Sequence, residues 1–276
     1  MPEEVWRAVG GFGAAIVVAA VGRRRRSLSG SGAVAAVPVG GLVVAGGGWW
    51  WGVVLVVFFA TSSALSGVGR RARGQAAPMT ARGGERDVVQ VLANGGVATM
   101  LAGVAAFAEG DLRVGVFAAF AGAIAAVTAD TWATELGAFS RTPPRSITSG
   151  RTVAPGVSGG VTPVGTLASA GGAGVIAGVA AVGSVFGWAP AADGARLLVA
   201  VTVAGVAGSL TDSVLGATVQ AAYRCPVCNL PTERRVHRCG TPTVRTRGHD
   251  AVTNDVVNAI ASFVGAAVGT LAVVGG

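Results

Sequence analysis

Long apolar stretches fill most of this chain, and several reach the roughly 20 residues that a bilayer-spanning helix requires. They lack the alternating polar positions of membrane β-barrel strands. Only 12% of the 276 residues are charged and 51% are hydrophobic, so a soluble fold would expose apolar surface on every side. We therefore predict an all-α, polytopic membrane helix bundle of about eight spans. The predicted spans are 5–21, 33–48, 49–65, 88–108, 114–136, 163–187, 196–220 and 251–274.

The N-terminal part, residues 1–65, holds the first three predicted spans. Residues 33–65 form either two spans or a re-entrant hairpin, because Pro38 interrupts the segment and the tryptophans at 49–51 suit a membrane interface as well as a helix start. The first stretch should remain as a span, since acidic residues precede it and arginines follow it, the reverse of a cleaved signal. A basic cytoplasmic loop, 66–87, then leads to a core membrane domain, 88–276, which includes cytoplasmic loops 137–162 and 221–250.

Arginine supplies all 21 positive charges of the chain, and its distribution predicts the orientation. Eighteen arginines fall in alternate loops, whereas Arg7, Arg113 and Arg196 fall at the other ends of the spans. The positive-inside rule places the arginine-rich loops in the cytoplasm, so eight spans leave both termini outside the cell membrane. Attraction to anionic lipid accounts for the net charge of +8, which therefore gives no reason to expect nucleic-acid binding.

Polar residues collect in the cytoplasmic halves of four spans. They predict one polar site at the cytoplasmic membrane surface, within reach of water-soluble phosphorylated cofactors. Ionisable groups at membrane depth are costly and mark candidate functional sites. Hydrogen bonding between helices is the alternative explanation, above all for the asparagines. The residues are Gln90 and Asn94; Asp130, Thr134 and Glu135; Asp212, Ser213 and Gln220; and Asn254, Asp255 and Asn258.

The spacing of these residues favours a cation site. Asp130 and Thr134 are four residues apart and share a helix face, as do Asn254 and Asn258. Carboxylates and amides aimed at one point suit Mg²⁺, which takes oxygen ligands and usually keeps substrate phosphates among them. Glu135 could instead lie at the membrane interface, where a carboxylate needs no functional explanation.

A glycine-rich segment, 155–162, precedes the sixth predicted span. Backbone N–H groups and the dipole at a helix N-terminus favour phosphate, and Arg141, Arg145 and Arg151 lie just upstream. The segment is not a Walker motif, because the chain has no lysine. A flexible loop, with arginines that only set the topology, is the alternative interpretation.

All three cysteines lie within fifteen residues in the loop 221–250. With a histidine they form the pattern C-x2-C-x8-H-x-C, in Cys225, Cys228, His237 and Cys239, which could close a tetrahedral zinc site. His249 is an alternative fourth ligand, and three unrelated free thiols are the other explanation. A loop in the reducing cytoplasm should not form a structural disulfide, and four protein ligands would make the zinc structural rather than catalytic.

Two pairs of glycines four residues apart are typical of membrane helices that approach one another closely. They are Gly174 with Gly178 and Gly265 with Gly269, and we expect a close helix contact at each.

Five ordered blocks of the sequence resemble a known membrane family across roughly 70–276. They are Arg86-Asp87 with Gln90–Gly96, Ala129–Gly137, Pro155–Thr166, Asp212–Ala217 with Gln220, and Asn254–Asn258. In these residues the chain is similar to the integral membrane family called domain of unknown function ninety-two, of the transmembrane protein nineteen and plant phytyl-phosphate kinase type. It departs from the family pattern in the loop 70–86, where arginine replaces the usual lysine.

The resemblance implies phosphoryl transfer from a nucleotide, CTP or ATP, to a prenyl monophosphate such as phytyl or geranylgeranyl phosphate. Such transfer needs mainly positioning and charge neutralisation. On this interpretation Asp130, Asp212 and Asp255 bind Mg²⁺, and Glu135 supports the metal or acts as a base. Asn94 and Asn258 orient the substrates, and the phosphate groups contact Arg145, Arg151, Ser158, Gly159 and Gly160. A homo-oligomer is compatible with this activity.

A transporter or flippase for an ion or a lipid phosphate is the second hypothesis. A carrier needs polar residues that continue through the membrane toward the outer side, and the predicted spans show almost none there. An enzyme is therefore the favoured interpretation. A scaffold without chemistry would leave the clustered acidic residues unexplained.

Overall fold

The computed structural model describes residues 3–73, 84–190 and 192–274, with the backbone alone for 70–73. Within these residues, eight α-helices are each long and apolar enough to cross a membrane. The prediction of an all-α polytopic bundle is thereby confirmed. The helices are α1 (Glu3–Arg24), α2 (Gly30–Gly47), α3 (Trp49–Arg73), α4 (Val88–Ala105), α5 (Gly110–Gly137), α6 (Pro163–Val185), α7 (Gly194–Thr218) and α8 (Asn254–Val274).

The segment with two possible interpretations forms two separate helices, α2 of 18 residues and α3 of 25 residues. They are joined at Gly48, whose φ of +111° favours glycine. Two full-length helices favour two spans over a re-entrant hairpin. At 1.5 Å per residue α3 is about 37 Å long, more than the ~30 Å hydrocarbon core. It therefore extends into the predicted loop 66–87, of which residues 74–83 lie outside the described residues.

Side-chain caps mark where α2, α4, α6 and α7 begin. Asp87 Oδ1 accepts a hydrogen bond from the backbone N–H of Gln90 at 3.0 Å, and this cap starts α4. Thr162 caps α6 and Asp193 caps α7 in the same way, at 3.0 and 2.9 Å. Each cap satisfies an N–H that the helix itself leaves without a partner.

α5 is the central helix of the bundle. Every residue from 115 to 129 is buried, and α5 packs against α3, α4, α6, α7 and α8. A helix that is apolar on all sides is expected in the middle of a bundle. Trp51 of α3 packs on Phe117 and Phe120, with ring centroids 5.2 and 4.5 Å apart. The apolar core therefore surrounds α5, and only its last turns carry polar side chains.

Glycines bring α8 close to α5. A Cβ on Gly265 would lie 2.5 Å from the carbonyl oxygen of Gly122, and one on Gly269 would lie 2.6 Å from another carbonyl oxygen of α5. The close contact predicted for this pair is confirmed. The same prediction for Gly174 and Gly178 is wrong, because no atom of another described segment lies within 4 Å of either Cβ position.

The three arginines outside the arginine-rich loops cap helix ends. Arg113 donates to the carbonyl oxygens of Ala105 at 2.6 Å and Gly47 at 3.3 Å. Arg7 and Arg196 each donate to a carbonyl in the last turn of α2 and of α8, at 3.1 and 3.2 Å. Cations at helix C-termini satisfy unpaired carbonyls and oppose the helix dipole. These contacts place the C-terminal ends of α2, α4 and α8 on one side of the bundle.

Two small β-structures connect helices at the opposite end. β1 (Arg145–Ser146) pairs antiparallel with β2 (Gly160–Val161), between α5 and α6. The second structure lies between α7 and α8, where β3 (Ala222–Arg224) is flanked by β4 (Pro231–Thr232) and β5 (Val244–Arg247). Both follow the C-terminal ends of helices that run side by side, so the two loops meet.

Gly265→Ala should destabilise the bundle, because the new methyl group must push α8 away from the backbone of α5. Overpacking of a close contact costs about 1–3 kcal/mol, so we expect a lower midpoint of thermal unfolding in detergent. Gly174→Ala is the matched control, since the same methyl group enters open space and favours the helix. Equal midpoints for the two variants would contradict a structural requirement for the close approach.

Candidate functional site

Three carboxylates come together where α5 and α7 end. The charge of Asp130 of α5 acts on the carboxyl group of Asp212 of α7. A third carboxylate, Glu233, acts on both, and it comes from the loop between β4 and β5. We call Asp130, Asp212 and Glu233 the carboxylate cluster. The predicted convergence of the two aspartates is therefore present, with a glutamate that the sequence did not single out.

One oxygen of the carboxylate cluster is without a hydrogen-bond partner. Asp212 Oδ2 is buried and receives no hydrogen bond from the described residues. A buried charge is costly unless it is paired or bound to a metal, and two like charges beside it add repulsion. Carboxylate oxygens from separate segments are the donors that Mg²⁺ takes. The residues present therefore fit a divalent cation.

Glu233 is fixed by hydrogen bonds to two other segments. The hydroxyl of Ser158, in the glycine-rich loop, donates to Glu233 Oε1. The buried side chain of Gln220, just after α7, donates to the same oxygen at 2.8 Å and lies 3.2 Å from the Ser158 hydroxyl. The glycine-rich loop, the end of α7 and the cysteine-containing loop are thus joined at one point beside the two aspartates.

The glycine-rich loop is an ordered part of this junction. Gly159 has a φ of +82°, and a Cβ there would lie 2.5 Å from the backbone nitrogen of Ala217 and 2.6 Å from its Cα. Only glycine allows this approach to the last turn of α7. Gly160 belongs to β2, and the Thr162 cap already satisfies one N–H at the start of α6.

The arginines expected to bind phosphate lie on the outer surface of this loop. Arg145 and Arg151 are both exposed, and the Arg145 guanidinium donates to the carbonyl of Gly150 at 3.1 Å. Their role in phosphate binding stays a prediction, as does that of Ser158, Gly159 and Gly160. In the structure Ser158 and Gly159 hold the junction together.

Five other predicted residues, Gln90, Asn94, Glu135, Asn254 and Asn258, line a separate polar cavity of about 130 Å³ between α4, α5 and α8. Asp130 and Glu135 are five residues apart on α5, which turns them about 140° from each other around the helix axis. The single pocket predicted from the sequence is therefore divided into two polar sites that flank the end of α5. The polar cavity is lined by Ser27, Ser63, Ser66, Gly84, Arg86, Gln90, Asn94, Glu135, Asn254 and Asn258.

Asp255, the third predicted magnesium ligand, lies in the first turn of α8. The described charges that act on Asp212 are those of Asp130 and Glu233. A role for Asp255 in metal binding stays a prediction.

A larger apolar cavity of about 300 Å³ lies between α1, α2, α3 and α4. Its lining includes Val39, Phe58 and Phe59, and it shares Arg86, Gln90 and Asn94 with the polar cavity. The Arg86 guanidinium donates to the Ser63 hydroxyl at 2.8 Å. The two cavities therefore adjoin, with the apolar one inside the bundle and the polar one at its end. Sequence reasoning missed the apolar cavity, because its residues look like any lipid-facing helix surface.

The cysteine-containing loop gathers the four residues that its pattern predicted. The ligand atoms of Cys225, Cys228, His237 and Cys239 all lie within 4.8 Å of one another. His237 Nδ1 is 3.0 Å from Cys239 Sγ, which in turn is 3.7 Å from Cys225 Sγ. We call these four the Cys/His cluster. The alternative ligand, His249, instead pairs through its backbone with Gln220.

The Cys/His cluster has the electrostatics of a metal site. Hydrogen bonds from Thr241 and His237 lower the pKa of Cys239 to about 5, which favours the thiolate that binds metals. A hydrogen bond with Cys239 and then burial raise the pKa of Cys228 to about 11. A bound cation would favour the deprotonated form of this thiol. Three thiols and an imidazole within tetrahedral reach fit Zn²⁺.

Asp212→Asn should stabilise the protein in the absence of divalent cations, because it removes one of three like charges from the carboxylate cluster. We expect the thermal midpoint in EDTA to rise, by roughly 2–4 °C for each kcal/mol of repulsion relieved. Mg²⁺ should raise the midpoint of the parent but hardly that of the variant. Glu109→Gln, at an exposed carboxylate at the other end of α5, is the control and should behave like the parent. A parent that gains nothing from Mg²⁺ would contradict the cation site.

Comparisons with known proteins agree with the resemblance that the sequence showed. The family described as Integral membrane protein DUF92 matches residues 13–266. Protein PGR of Arabidopsis thaliana is 33% identical over 213 residues, which cover 72% of this chain and 73% of that protein. The uncharacterized membrane protein MJ0933 of Methanocaldococcus jannaschii is 36% identical over 132 residues, 48% of this chain and 50% of that protein. No solved structure matches the chain. The chain therefore belongs to the DUF92 family of integral membrane proteins, the domain of unknown function ninety-two.

Proposed function

We propose that this protein is a membrane-embedded prenyl monophosphate kinase. It transfers the terminal phosphoryl group of a nucleoside triphosphate, CTP or ATP, to phytyl or geranylgeranyl phosphate and releases the prenyl diphosphate. The observation that carries the proposal is the carboxylate cluster, with its buried and unpartnered Asp212 oxygen at the end of the bundle. It is the kind of site that binds a metal-bound nucleotide phosphate.

Asp130 and Asp212 hold Mg²⁺ in this proposal. The metal, when bound, neutralises charge on the phosphate oxygens of the nucleotide. The carboxylates fix its position. The glycine-rich loop, which contacts α7 through Gly159 and donates to Glu233 through Ser158, forms the wall beside it. Phosphoryl transfer needs little covalent chemistry from the protein, so positioning of this kind is the main requirement.

The adjoining cavities suit the acceptor. A prenyl phosphate has a long apolar tail and a small anionic head, which correspond to the apolar cavity and the polar cavity. Arg86 stands where the two meet and offers a guanidinium to an anionic head. Asn94 and Asn258 orient the head by hydrogen bonds. The attacking oxygen of a phosphate is already anionic, so Glu135, which shares the polar cavity with Arg86, has more use as a support for Arg86 than as a base.

The two polar sites flank the same end of α5. Asp130 and Glu135 are separated by about 7.5 Å along the helix axis, so a nucleotide on one side and a lipid phosphate on the other can meet beyond the helix end. The arginine-rich loops adjoin this end, and the positive-inside rule makes it cytoplasmic, with both termini outside the cell membrane. Water-soluble nucleotides are on that side.

The transporter hypothesis has less support from the bundle. The charged residues of the carboxylate cluster lie at one end, and residues 115–129 of α5 above them are buried and, apart from Thr128, apolar. Among the described residues, the buried polar side chains of α3, α6, α7 and α8 are serines. A carrier with alternating access would need a polar path through this region.

A direct assay tests the kinase. Purified protein in detergent, with Mg²⁺, labelled CTP or ATP, and geranylgeranyl or phytyl phosphate, should transfer label into the prenyl diphosphate. Asp130→Asn and Asp212→Asn should each lower kcat at least about a hundredfold while the protein stays folded, because charge stabilisation of the transition state is lost. Glu109→Gln should retain activity. No product with any nucleotide, together with vesicle flux of the lipid phosphate, would favour the flippase.

A second test concerns the lipid-binding cavity. Ala36→Phe should fill part of the apolar cavity that Ala36 lines and raise KM for the prenyl phosphate roughly tenfold. KM for the nucleotide should not change, because the nucleotide does not enter the cavity. Val34→Phe, on the exposed face of the same helix, is the control and should leave both constants unchanged. An equal effect of the two variants would place the tail elsewhere.

A further inference from the structure

Glu233 reaches the carboxylate cluster from within the Cys/His cluster's own segment. It follows Cys228 by five residues and precedes His237 by four. Its carboxylate accepts hydrogen bonds from Ser158 and Gln220 and acts on the charges of both aspartates. The segment that holds the four metal-ligand residues therefore also holds the third carboxylate of the membrane site.

We propose that the Cys/His cluster binds one structural Zn²⁺, and that this zinc holds Glu233 in place as the third carboxylate ligand of the divalent cation bound by Asp130 and Asp212. The inference depends on the proposed cation site. It does not depend on the kinase reaction or on the identity of the lipid.

The Cys/His segment, residues 225–239, needs such a metal because it has little apolar core of its own: Val227, Leu230 and Val236 are all exposed. Its strands β3 and β4 share only two residue pairs, and Cys225 is the only cysteine of the three that is fully buried. Short loops without an apolar core are commonly stabilised by metal binding. The four ligand atoms already lie within 4.8 Å of one another, close enough for all four to coordinate one zinc ion in tetrahedral geometry.

Hydrogen bonds that do not involve the Cys/His cluster hold the rest of the loop 221–250 in place. Arg247 donates to the carbonyl of Gly216 at 2.6 Å, and the backbone N–H of Ala221 donates to the carbonyl of Val252 at 2.9 Å. The hydroxyl of Tyr223 donates to Asp250 at 2.7 Å. These bonds hold β3 and β5 against the end of α7, so loss of zinc should release the Cys225–Cys239 segment without unfolding the helices.

Repulsion explains why Glu233 needs the metal-bound segment. Its carboxylate lies beside two others in a partly buried site, where like charges repel more strongly than in water. The hydrogen bonds from Ser158 and Gln220 hold Glu233 against this repulsion while its segment is ordered. On a mobile segment the carboxylate would turn outward to solvent. A segment fixed by zinc on both sides of Glu233 prevents this movement, and the ordered carboxylate then increases the affinity of the cluster for a cation.

Metal binding alone tests the inference, without an activity assay. Zinc content is measured by elemental analysis of purified protein, and Mn²⁺ affinity is measured by electron paramagnetic resonance, with Asp212→Asn as the background for other sites. The parent should contain one zinc per chain. Glu233→Gln should keep that zinc and lose at least about tenfold in Mn²⁺ affinity. Glu109→Gln should match the parent in both measurements.

The link between the two sites is tested by removing the zinc. Cys228→Ser should lose the zinc and show the same weakened Mn²⁺ binding as Glu233→Gln. Treatment of the parent with a zinc chelator, which is then removed, should weaken Mn²⁺ binding reversibly, and added Zn²⁺ should restore it. The chelated parent keeps its native sequence, so it tests the link even where a cysteine variant fails to fold.

Three results would overturn the inference. These are a parent without zinc, a Glu233→Gln variant with unchanged Mn²⁺ affinity, and a zinc-free parent that binds Mn²⁺ as before. A parent in which Mn²⁺ binds no better than in Asp212→Asn would instead remove the cation site itself and, with it, the basis of the proposed kinase. Normal metal binding without phosphoryl transfer would leave the inference intact and contradict the kinase alone.

Discussion

The close packing of α5 against its neighbours is the constraint on which both polar sites depend. Glycines in α8 bring its backbone against that of α5, and aromatic rings from α3 fill the other side. A helix held so tightly cannot rotate to move its polar residues to water. Asp130 must therefore face α7 and Glu135 must face the polar cavity, and the rest of the chain arranges partners for each.

The separation of these two residues gives the protein two different environments at one membrane surface. The carboxylate cluster is rich in negative charge and suits a cation with bound phosphate. The polar cavity contains amides, hydroxyls and Arg86, and it adjoins an apolar cavity inside the bundle. A reaction between a water-soluble nucleotide and a lipid needs such a pair of environments, because neither substrate can enter the other's phase.

The junction of Ser158, Gln220 and Glu233 changes the interpretation of the loops that follow α5 and α7. The glycine-rich loop and the Cys/His segment look in the sequence like independent additions to a membrane bundle. In the structure they share a glutamate oxygen beside the aspartates. The Cys/His segment is therefore part of the wall of the site, and glycine at position 159 is needed so that the other loop can approach α7.

The amino-acid sequence alone determined the class of the protein, the eight helices, the polar ends of α4, α5, α7 and α8, the four members of the Cys/His cluster and the family. These depend on apolar length, local spacing and residue type, which do not change when helices pack. Tertiary structure alone decided that Glu233 joins the aspartates, that Glu135 lies in another pocket with Asn94 and Asn258, and that α1 to α4 line an apolar cavity. The rotation of each helix about its axis and the path of each loop are set by packing between distant segments. Glu233 and Asp255 both carry carboxylates, and the sequence alone does not show which of them lies near Asp212. The packing of the loop against α7 makes Glu233 the neighbour.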